Sequence, residues 1–197
     1  DAEHVRGLWR RATLAEYRKK DPKWEVVLDF DKLGKDEGES WVNKGANCQA
    51  RRPERCLLSL SRGGKDAVVV REFDAARSTW VPGGFALPEA KHRLDWLNDD
   101  ALLVGSDFGP GTLTKSGYPR TIRRWGRGAS ISSAPVVFEG LESDVMVVPS
   151  SYEGESGRLM MIHVSKTFFE TEYHRMTADG TFRRLALPLD SEIEEFL

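Results

Sequence analysis

The stretch Arg55–Asp74, which reads RCLLSLSRGGKDAVVVREFD, most constrains what this chain can fold into. Its first part, Cys56–Leu60, is apolar enough to form a buried strand. The adjacent glycines Gly63 and Gly64 can take the positive φ that a tight turn requires. The valine-rich run Ala67–Phe73 is typical of a second strand. The stretch therefore predicts a β-hairpin.

Short β-rich runs of this kind recur along the chain, and turn-forming Gly, Asn, Asp and Pro residues separate them. Two stretches differ: 13–19 predicts one or two turns of helix after Thr13, and 31–40 predicts a charged connector. Regularly spaced short strands with little helix indicate an all-β fold, as a sandwich, a barrel or a propeller. The predicted strands are Glu25–Phe30, Cys56–Leu60, Ala67–Phe73, Ala101–Gly105, Thr121–Trp125, Pro135–Phe138, Asp144–Pro149, Leu159–Val164 and Thr181–Leu187.

A faint internal repeat favours the propeller over the sandwich. Trp24 and Trp41 are echoed by Trp80 and Trp96 at an offset of roughly 55 residues, and a further strand begins near Asp144, roughly 50 residues on. Propeller blades of four strands repeat at about 40–50 residues. The pattern predicts consecutive four-stranded antiparallel blades.

The blade limits that follow from this period describe only part of a ring. One incomplete blade covers about 1–40, and three blades cover about 41–81, 94–138 and 145–187. A tail, 188–197, leads toward the next blade. Three blades and a part do not close, so we expect open blade edges that are hidden through self-association or partial disorder.

Composition and charge argue against two classes of partner. With 29 basic and 31 acidic residues the net charge is −2, so no overall field steers nucleic acid or an anionic membrane toward the chain. The one basic cluster, Arg120–Arg127, would alternate between the two faces of a strand. No apolar run is long enough to span a bilayer, and no leader is in view. We expect a soluble bacterial-type protein, cytoplasmic or periplasmic, without nucleic-acid or membrane partners.

The two cysteines leave one alternative open. Cys48 and Cys56 lie around the start of the predicted hairpin, so a bridge is possible, but two free thiols, with Cys56 buried in its strand, are favoured. The pair cannot form a zinc site alone, and we expect no metal and no cofactor.

A catalytic constellation is not recognisable in these 197 residues. The Gly-x-Ser-x-Gly nucleophile elbow is absent, and both Ser61 and Ser156 lack one of the required glycines. The four histidines show no metal-ligand spacing and are interpreted as structural: His4, His92, His163 and His174. We therefore expect no catalytic residue within the chain.

Several ordered segments of the chain together carry a resemblance to a known family. The segments are Arg6–Arg10, Trp41–Gly45, Leu60–Gly64, Arg71–Asp74, Gly84–Lys91 and Ser116–Arg120. In these segments the chain resembles the propeller domain of the prolyl-oligopeptidase family of serine peptidases. The resemblance covers essentially the whole chain and implies a seven-bladed propeller, of which this chain supplies about three to four blades. It also implies an α/β-hydrolase domain of the same parent chain, which carries Ser, Asp and His and cleaves short peptides after proline.

The resemblance further implies that blade loops near the hydrolase contact the substrate. By position, two groups are candidates for the substrate channel: Glu89, Lys91 and Arg93 before the third blade, and Lys166, Phe168 and Phe169 in the fourth. If 89–93 is extended, alternation places its three charged residues on one face and Ala90 and His92 on the other.

Two functions remain open from the sequence. The favoured one is the substrate-gating propeller of a serine oligopeptidase, inactive when isolated. The alternative is a stand-alone interaction module, because propellers commonly serve as binding platforms and fold does not fix function.

Overall fold

The computed structural model describes residues 2–154 and 157–193. By their internal contacts these residues fall into two compact units, divided between Glu89 and Ala90. Each unit is described by itself below. The described residues contain no helix that is both long and apolar enough to cross a bilayer.

Unit one begins with a small two-stranded sheet and continues into a larger one. Strands β1 and β2 pair antiparallel, and the larger sheet has the order β3-β4-β5-β6, with β7 also paired to β5. The elements are β1 Leu8–Arg11, α1 Leu14–Tyr17, β2 Glu25–Asp29, α2 Phe30–Glu37, β3 Trp41–Cys48, β4 Arg55–Arg62, β5 Val68–Asp74, β6 Thr79–Trp80 and β7 Ala86–Ala90.

The hairpin predicted from Arg55–Asp74 is β4 and β5, and it forms the centre of this sheet. The apolar strand β4 is almost fully buried because it has a neighbour on each side, β3 and β5. The aromatic rings of Trp9 and Trp80 pack on Phe73, with centroids 5.8 and 5.0 Å away. Phe73 therefore joins the first strand of the chain to the hairpin in one core.

The two helices differ in how well the sequence anticipates them. Thr13 accepts a hydrogen bond from the Glu16 backbone and caps α1, as the sequence predicts. The predicted charged connector 31–40 is wrong, because α2 occupies most of it. Asp29 caps this helix by accepting hydrogen bonds from two backbone amides, and Gly38 ends it in the left-handed conformation.

The cysteines are bridged, so the favoured prediction of two free thiols is wrong. Cys48 and Cys56 lie directly opposite each other on β3 and β4, and a disulfide joins them. The sequence does not reveal this because β3 extends to Cys48, beyond any recognisable strand pattern. The loop 49–54 then returns the chain so that the two Cβ atoms face one another.

Unit two consists of two sheets, each a meander in chain order. The orders are β8-β9-β10-β11 and β12-β13-β14-β15, and all neighbours are antiparallel. The elements are β8 Arg93–Asn98, β9 Ala101–Gly105, β10 Thr121–Gly126, a 3₁₀ turn Ile131–Ser133, β11 Val136–Glu139, β12 Met146–Gly154, β13 Gly157–Ser165, β14 Thr171–Met176 and β15 Phe182–Arg184.

The core of unit two joins its sheets. Every residue of β9 is buried, and Leu103 packs in one cluster with Ile122 and with Val147, Ile162 and other residues of the second sheet. Asp95 on β8 accepts a hydrogen bond from the Ser151 amide on β12 at 2.6 Å. The first strands of the two sheets are therefore tied directly to one another.

The predicted fold class is confirmed: the chain is dominated by four-stranded antiparallel sheets of the kind that form propeller blades. The sheets begin at Trp41, Arg93 and Met146. The division into one incomplete blade and three blades stays a prediction. Of the tail 188–197, residues 194–197 lie outside the described residues, as does Ser156.

Candidate functional site

One end of unit two collects most of the residues that the sequence points to. We call it the strand-start end, because β8 and β12 both begin there. It comprises 91–93 and the loops 106–120, 140–145 and 166–170. The long loop 106–120 connects β9 to β10 and reaches both sheets, which makes it the organising element of this end.

Hydrogen bonds fasten the 106–120 loop to the second sheet. The hydroxyls of Thr114 and Ser116 donate to the Val145 carbonyl at 3.0 and 2.6 Å. The Val147 amide donates to the Pro119 carbonyl at 3.1 Å. Because the loop is held at several points, the side chain between them, Tyr118, has a defined position.

Tyr118 receives two cations. The ammonium of Lys91 lies 4.4 Å from its ring centroid, and the guanidinium of Arg93 lies 4.9 Å from it. Such stacking is attractive because the ring face is negative. Neither cation pairs with a carboxylate among the described residues, so both retain charge that a ligand oxygen can use. His92, between them in the sequence, is buried.

Glu89, the third residue of that candidate group, is engaged elsewhere. It belongs to unit one, where its carboxylate accepts a hydrogen bond from the Arg62 guanidinium at 3.3 Å. Strand β7 ends at Ala90 and β8 begins at Arg93, so the segment 89–93 is not one continuous strand. The structure thus brings Lys91 and Arg93 together at Tyr118 and gives Glu89 its own ion pair.

Lys166 also has a partner, the carboxylate of Asp144. Its ammonium lies 2.5 Å from Oδ1 of Asp144, whose side chain is only 1% exposed. The other carboxylate oxygen accepts a hydrogen bond from the Leu141 amide at 2.7 Å. Gly140 completes this turn, because a Cβ there would lie 2.7 Å from Val147 and 3.0 Å from Asp144. Lys166 therefore neutralises a buried charge that holds the 140–145 loop.

Phe168 and Phe169 form the most exposed apolar feature of the strand-start end. They occupy the tip of the β13–β14 hairpin and are 91% and 89% exposed. A hydrogen bond from the Lys166 amide to the Glu170 carbonyl closes the hairpin at 2.8 Å. Two adjacent aromatic rings this exposed are typical of a contact surface.

A polar cluster that the sequence does not predict lies between β12, β13 and β14. Tyr152 and His163 stack with centroids 6.1 Å apart, and the Tyr152 hydroxyl and His163 Nε2 are 3.2 Å apart. Tyr173 also contacts the imidazole edge-on, with ring centroids 5.0 Å apart. Burial lowers the pKa of His163 and raises the pKa of Tyr152. Both groups are therefore neutral near neutral pH, and the cluster is interpreted as structural.

Among the described residues, one group could offer three ligands to a metal ion. Atoms of His4, Asp29 and Asp31 lie within 4.8 Å of one another. The carboxylate oxygens already have donors, however. Asp29 caps α2, and Asp31 accepts a hydrogen bond from the Arg6 amide at 2.7 Å. His4 lies 3.2 Å from Asp29, so these contacts suffice to explain the group as a clasp at the start of α2.

Ser61, the serine whose surroundings most nearly resemble a nucleophile motif, is structural. It is fully buried in β4, and its hydroxyl donates to the Lys65 carbonyl at 2.7 Å, which closes the β4–β5 turn. This agrees with its interpretation as a strand-end serine.

The fold and the sequence together define the class of protein. Blade-like four-stranded meanders identify a propeller-type domain, and the family model for the N-terminal β-propeller domain of prolyl oligopeptidase matches residues 2–194. The chain therefore belongs to the prolyl oligopeptidase family, in its N-terminal propeller domain.

Individual relatives agree with this assignment. The chain is 40% identical over 174 residues to an uncharacterized peptidase, y4nA, of Sinorhizobium fredii, covering 87% of this chain and 24% of that protein. It is 30% identical to an uncharacterized peptidase, RP174, of Rickettsia prowazekii, covering 98% of this chain and 29% of that protein. The chain thus spans about a quarter of the length of the curated relatives it matches.

A solved structure gives the same result in three dimensions. The structure of a post-proline cleaving enzyme from Rickettsia typhi superposes with a TM-score of 0.88 at 30% sequence identity. The match covers 96% of this chain and 29% of that enzyme. The similarity therefore extends over nearly the whole chain.

Proposed function

We propose that this chain is the substrate-gating propeller of a serine peptidase that cleaves short peptides after proline. The observation that carries the proposal is the match of nearly the whole chain to a post-proline cleaving enzyme at a TM-score of 0.88. In this proposal Ser, Asp and His act from an α/β-hydrolase domain elsewhere in the parent protein. The propeller contributes exclusion of large substrates and closure over the site.

The strand-start end is the face that we assign to the hydrolase and its substrate. Lys91 and Arg93 support this because both are cations without carboxylate partners among the described residues, held side by side on Tyr118. Carbonyl and carboxylate oxygens of a peptide are the acceptors that such donors prefer. Phe168 and Phe169 provide exposed apolar surface for a side chain of the substrate or for the hydrolase domain.

Lys91 and Arg93 act on substrate in this proposal, whereas Glu89 and Lys166 support the fold. Glu89 and Lys166 already have the partners Arg62 and Asp144. Replacing Glu89 or Lys166 should therefore change turnover only by changing the stability of the propeller. The two groups are therefore separable by experiment.

The test is made in the full-length peptidase with a proline-containing chromogenic tetrapeptide. Lys91→Met and Arg93→Met should each lower kcat/KM. The expected loss of transition-state stabilisation is about 1–3 kcal/mol, the value of a charged hydrogen bond. Arg175→Met is the control, because Arg175 is exposed on β14 outside the strand-start end and its side chain has no partner among the described residues. Circular dichroism checks that each variant stays folded. Kinetics of both variants equal to those of the control would remove these residues from the substrate channel.

The gating role has its own measurement. A cross-link that fastens the Phe168–Phe169 hairpin to the hydrolase should lower turnover of the tetrapeptide and leave the reaction of the catalytic serine with a small phosphonate unchanged. Equal loss of both activities would mean that the propeller supports the catalytic domain without gating access to it.

A further inference from the structure

Unit two contains a cavity away from the strand-start end. It has a volume of about 610 Å³ and lies where β8 ends and where β14 turns into β15. This is within the size range of pockets that bind small organic ligands. Much of its wall is apolar, formed by Leu97, Leu103, Pro135, Val137, Met176 and Phe182.

One positive charge faces this cavity, from Arg124. The other arginines of the basic cluster are engaged: Arg120 with a carboxylate and a carbonyl, Arg123 with two carbonyls and a ring, and Arg127 with Asp100. The guanidinium of Arg124 makes no hydrogen bond, ion pair or ring contact with a described residue. Its five donors are therefore available to a ligand.

One negative charge faces the same cavity, from Asp179. Its Oδ1 accepts hydrogen bonds from the Thr177 hydroxyl and from the amide and hydroxyl of Thr181. These bonds lower its pKa to about 2, so the carboxylate is ionised at physiological pH. All three bonds go to Oδ1, which leaves Oδ2 as a free acceptor.

The two opposite charges do not neutralise each other. Arg124 and Asp179 line one cavity, yet no ion pair joins them within the described residues. An anion alone would meet the carboxylate, and a cation alone would meet the guanidinium. A ligand that carries both charges on an apolar body satisfies both side chains and fills the apolar wall.

We propose that this cavity binds a short apolar peptide with free termini, such as a dipeptide. The ligand carboxylate would bind the fork of Arg124, the ligand ammonium would bind Asp179, and the apolar side chains would lie against the partly exposed Val137 and Met176. The guanidinium fork suits a carboxylate because two parallel hydrogen bonds form. The proposal does not depend on the proposed peptidase function, because it requires only that unit two is folded.

The experiment measures binding of the dipeptide Leu-Leu to the 197-residue chain by calorimetry and by NMR shift perturbation. We expect saturable binding with a Kd on the order of 0.1–1 mM. Arg124→Gln and Asp179→Asn should each weaken it by about three- to tenfold, less than a buried charge pair would because both side chains are exposed. Arg175→Gln is the matched control, since Arg175 is exposed on β14 and does not line the cavity.

Modified ligands assign each charge. N-acetyl-Leu-Leu lacks the ammonium, so it should bind the native chain more weakly, and Asp179→Asn should not weaken it further. Leu-Leu amide lacks the carboxylate and should be equally insensitive to Arg124→Gln. Arg124→Lys, which keeps the charge without the fork, should fall between the native chain and Arg124→Gln.

Three results would overturn the proposal. They are absence of saturable binding to the folded chain, equal binding by native and Arg124→Gln chains, and a loss with Arg175→Gln as large as with Arg124→Gln. Equal binding of the acetylated and free peptides would overturn the role of Asp179 and with it the zwitterionic ligand.

Discussion

Replacing Lys166 by Met removes the cation from a buried carboxylate. The Asp144 side chain is 1% exposed, and with Lys166 gone it keeps only the hydrogen bond from the Leu141 amide among the described contacts. Leaving a buried charge unpaired costs about 3–5 kcal/mol. Because the Lys166 side chain is itself 25% exposed, water tempers the loss, and we take the lower end, about 3 kcal/mol.

This loss of stability is large enough to measure as a change in melting temperature. For a chain of this size, 1 kcal/mol corresponds to about 2–4 °C, so Lys166→Met should melt about 6–12 °C lower than the native chain. Circular dichroism and scanning calorimetry at neutral pH provide the measurement. Lys115→Met, an exposed lysine of the same end, should change stability by less than about 0.5 kcal/mol.

A double-mutant cycle identifies the cause. Asp144→Asn removes the charge but keeps an oxygen for the Leu141 amide, so Lys166→Met should cost less than about 1 kcal/mol in that background. The stability losses of Lys166→Met and Asp144→Asn could instead simply add in the double variant, or Lys166→Met could have the same melting temperature as Lys115→Met. Either result would mean that Lys166 does not stabilise the Asp144 carboxylate. In that case Lys166 returns to the substrate-channel candidates.

Two further predictions concern the disulfide and the histidines. The Cys48–Cys56 bridge joins residues eight apart, and the chain-entropy model assigns a stabilisation of about 2.5 kcal/mol to a bridge that closes so short a loop. A reductant, or the double variant Cys48→Ser, Cys56→Ala, should therefore lower the melting temperature. Identical melting temperatures of the oxidised and reduced chains, with reduction checked by thiol alkylation, would contradict this. Burial lowers the pKa of His163, and of His174 where Glu172 partly offsets it, below the ordinary 6.5. The unfolded chain then binds more protons than the folded chain, so the stabilisation is full above about pH 6.5 and is lost as the pH falls below that value. Melting temperatures measured from about pH 8 to about pH 5 should show this decrease, and the decrease should be smaller for His163→Gln. Equal dependence of melting temperature on pH in the native and His163→Gln chains would refute the assignment.

The strands were predictable where their residues carry the signal locally. Ala101–Gly105 is a short continuous apolar run, and it is the fully buried strand β9. Strand β14, Thr171–Met176, escaped prediction because it alternates polar and charged residues around a single buried Tyr173. Helix α2 escaped because its charged composition resembles a connector, although Asp29 and Gly38 supply ordinary cap chemistry.

The tryptophan repeat favoured the correct fold class although its members do not occupy equivalent positions. Trp41 and Trp96 both lie on the first strand of a sheet, but Trp41 begins β3 whereas Trp96 is the fourth residue of β8. Trp24 lies outside any strand, while Trp80 ends β6. The spacing therefore does not mark equivalent positions in successive sheets.

The sequence identified residues of the candidate site but not their contact partners, because those partners are distant in sequence. The family resemblance pointed to Lys91, Arg93 and Lys166, but no local pattern pairs the first two with Tyr118 or the third with Asp144. The contacts with Tyr118 depend on the path of the 106–120 loop, which tertiary hydrogen bonds to Val145 determine, and the contact with Asp144 depends on the approach of two other loops. The local sequence around a lysine does not reveal whether the side chain contacts a substrate or forms a structural ion pair.

The basic cluster makes the same point about charge. In sequence, Arg120, Arg123, Arg124 and Arg127 look like one positive patch, yet the fold pairs two of them with carboxylates and a third with carbonyl oxygens. Arg120 pairs with a carboxylate 19 residues away and Arg127 with one 27 residues away, so neither partner belongs to the cluster. What remains is one guanidinium beside an apolar cavity that also holds an ionised carboxylate. Binding of a polyanion requires a row of unpaired cationic side chains. Binding of a small zwitterion requires one cationic and one anionic side chain, and this is the arrangement at the cavity.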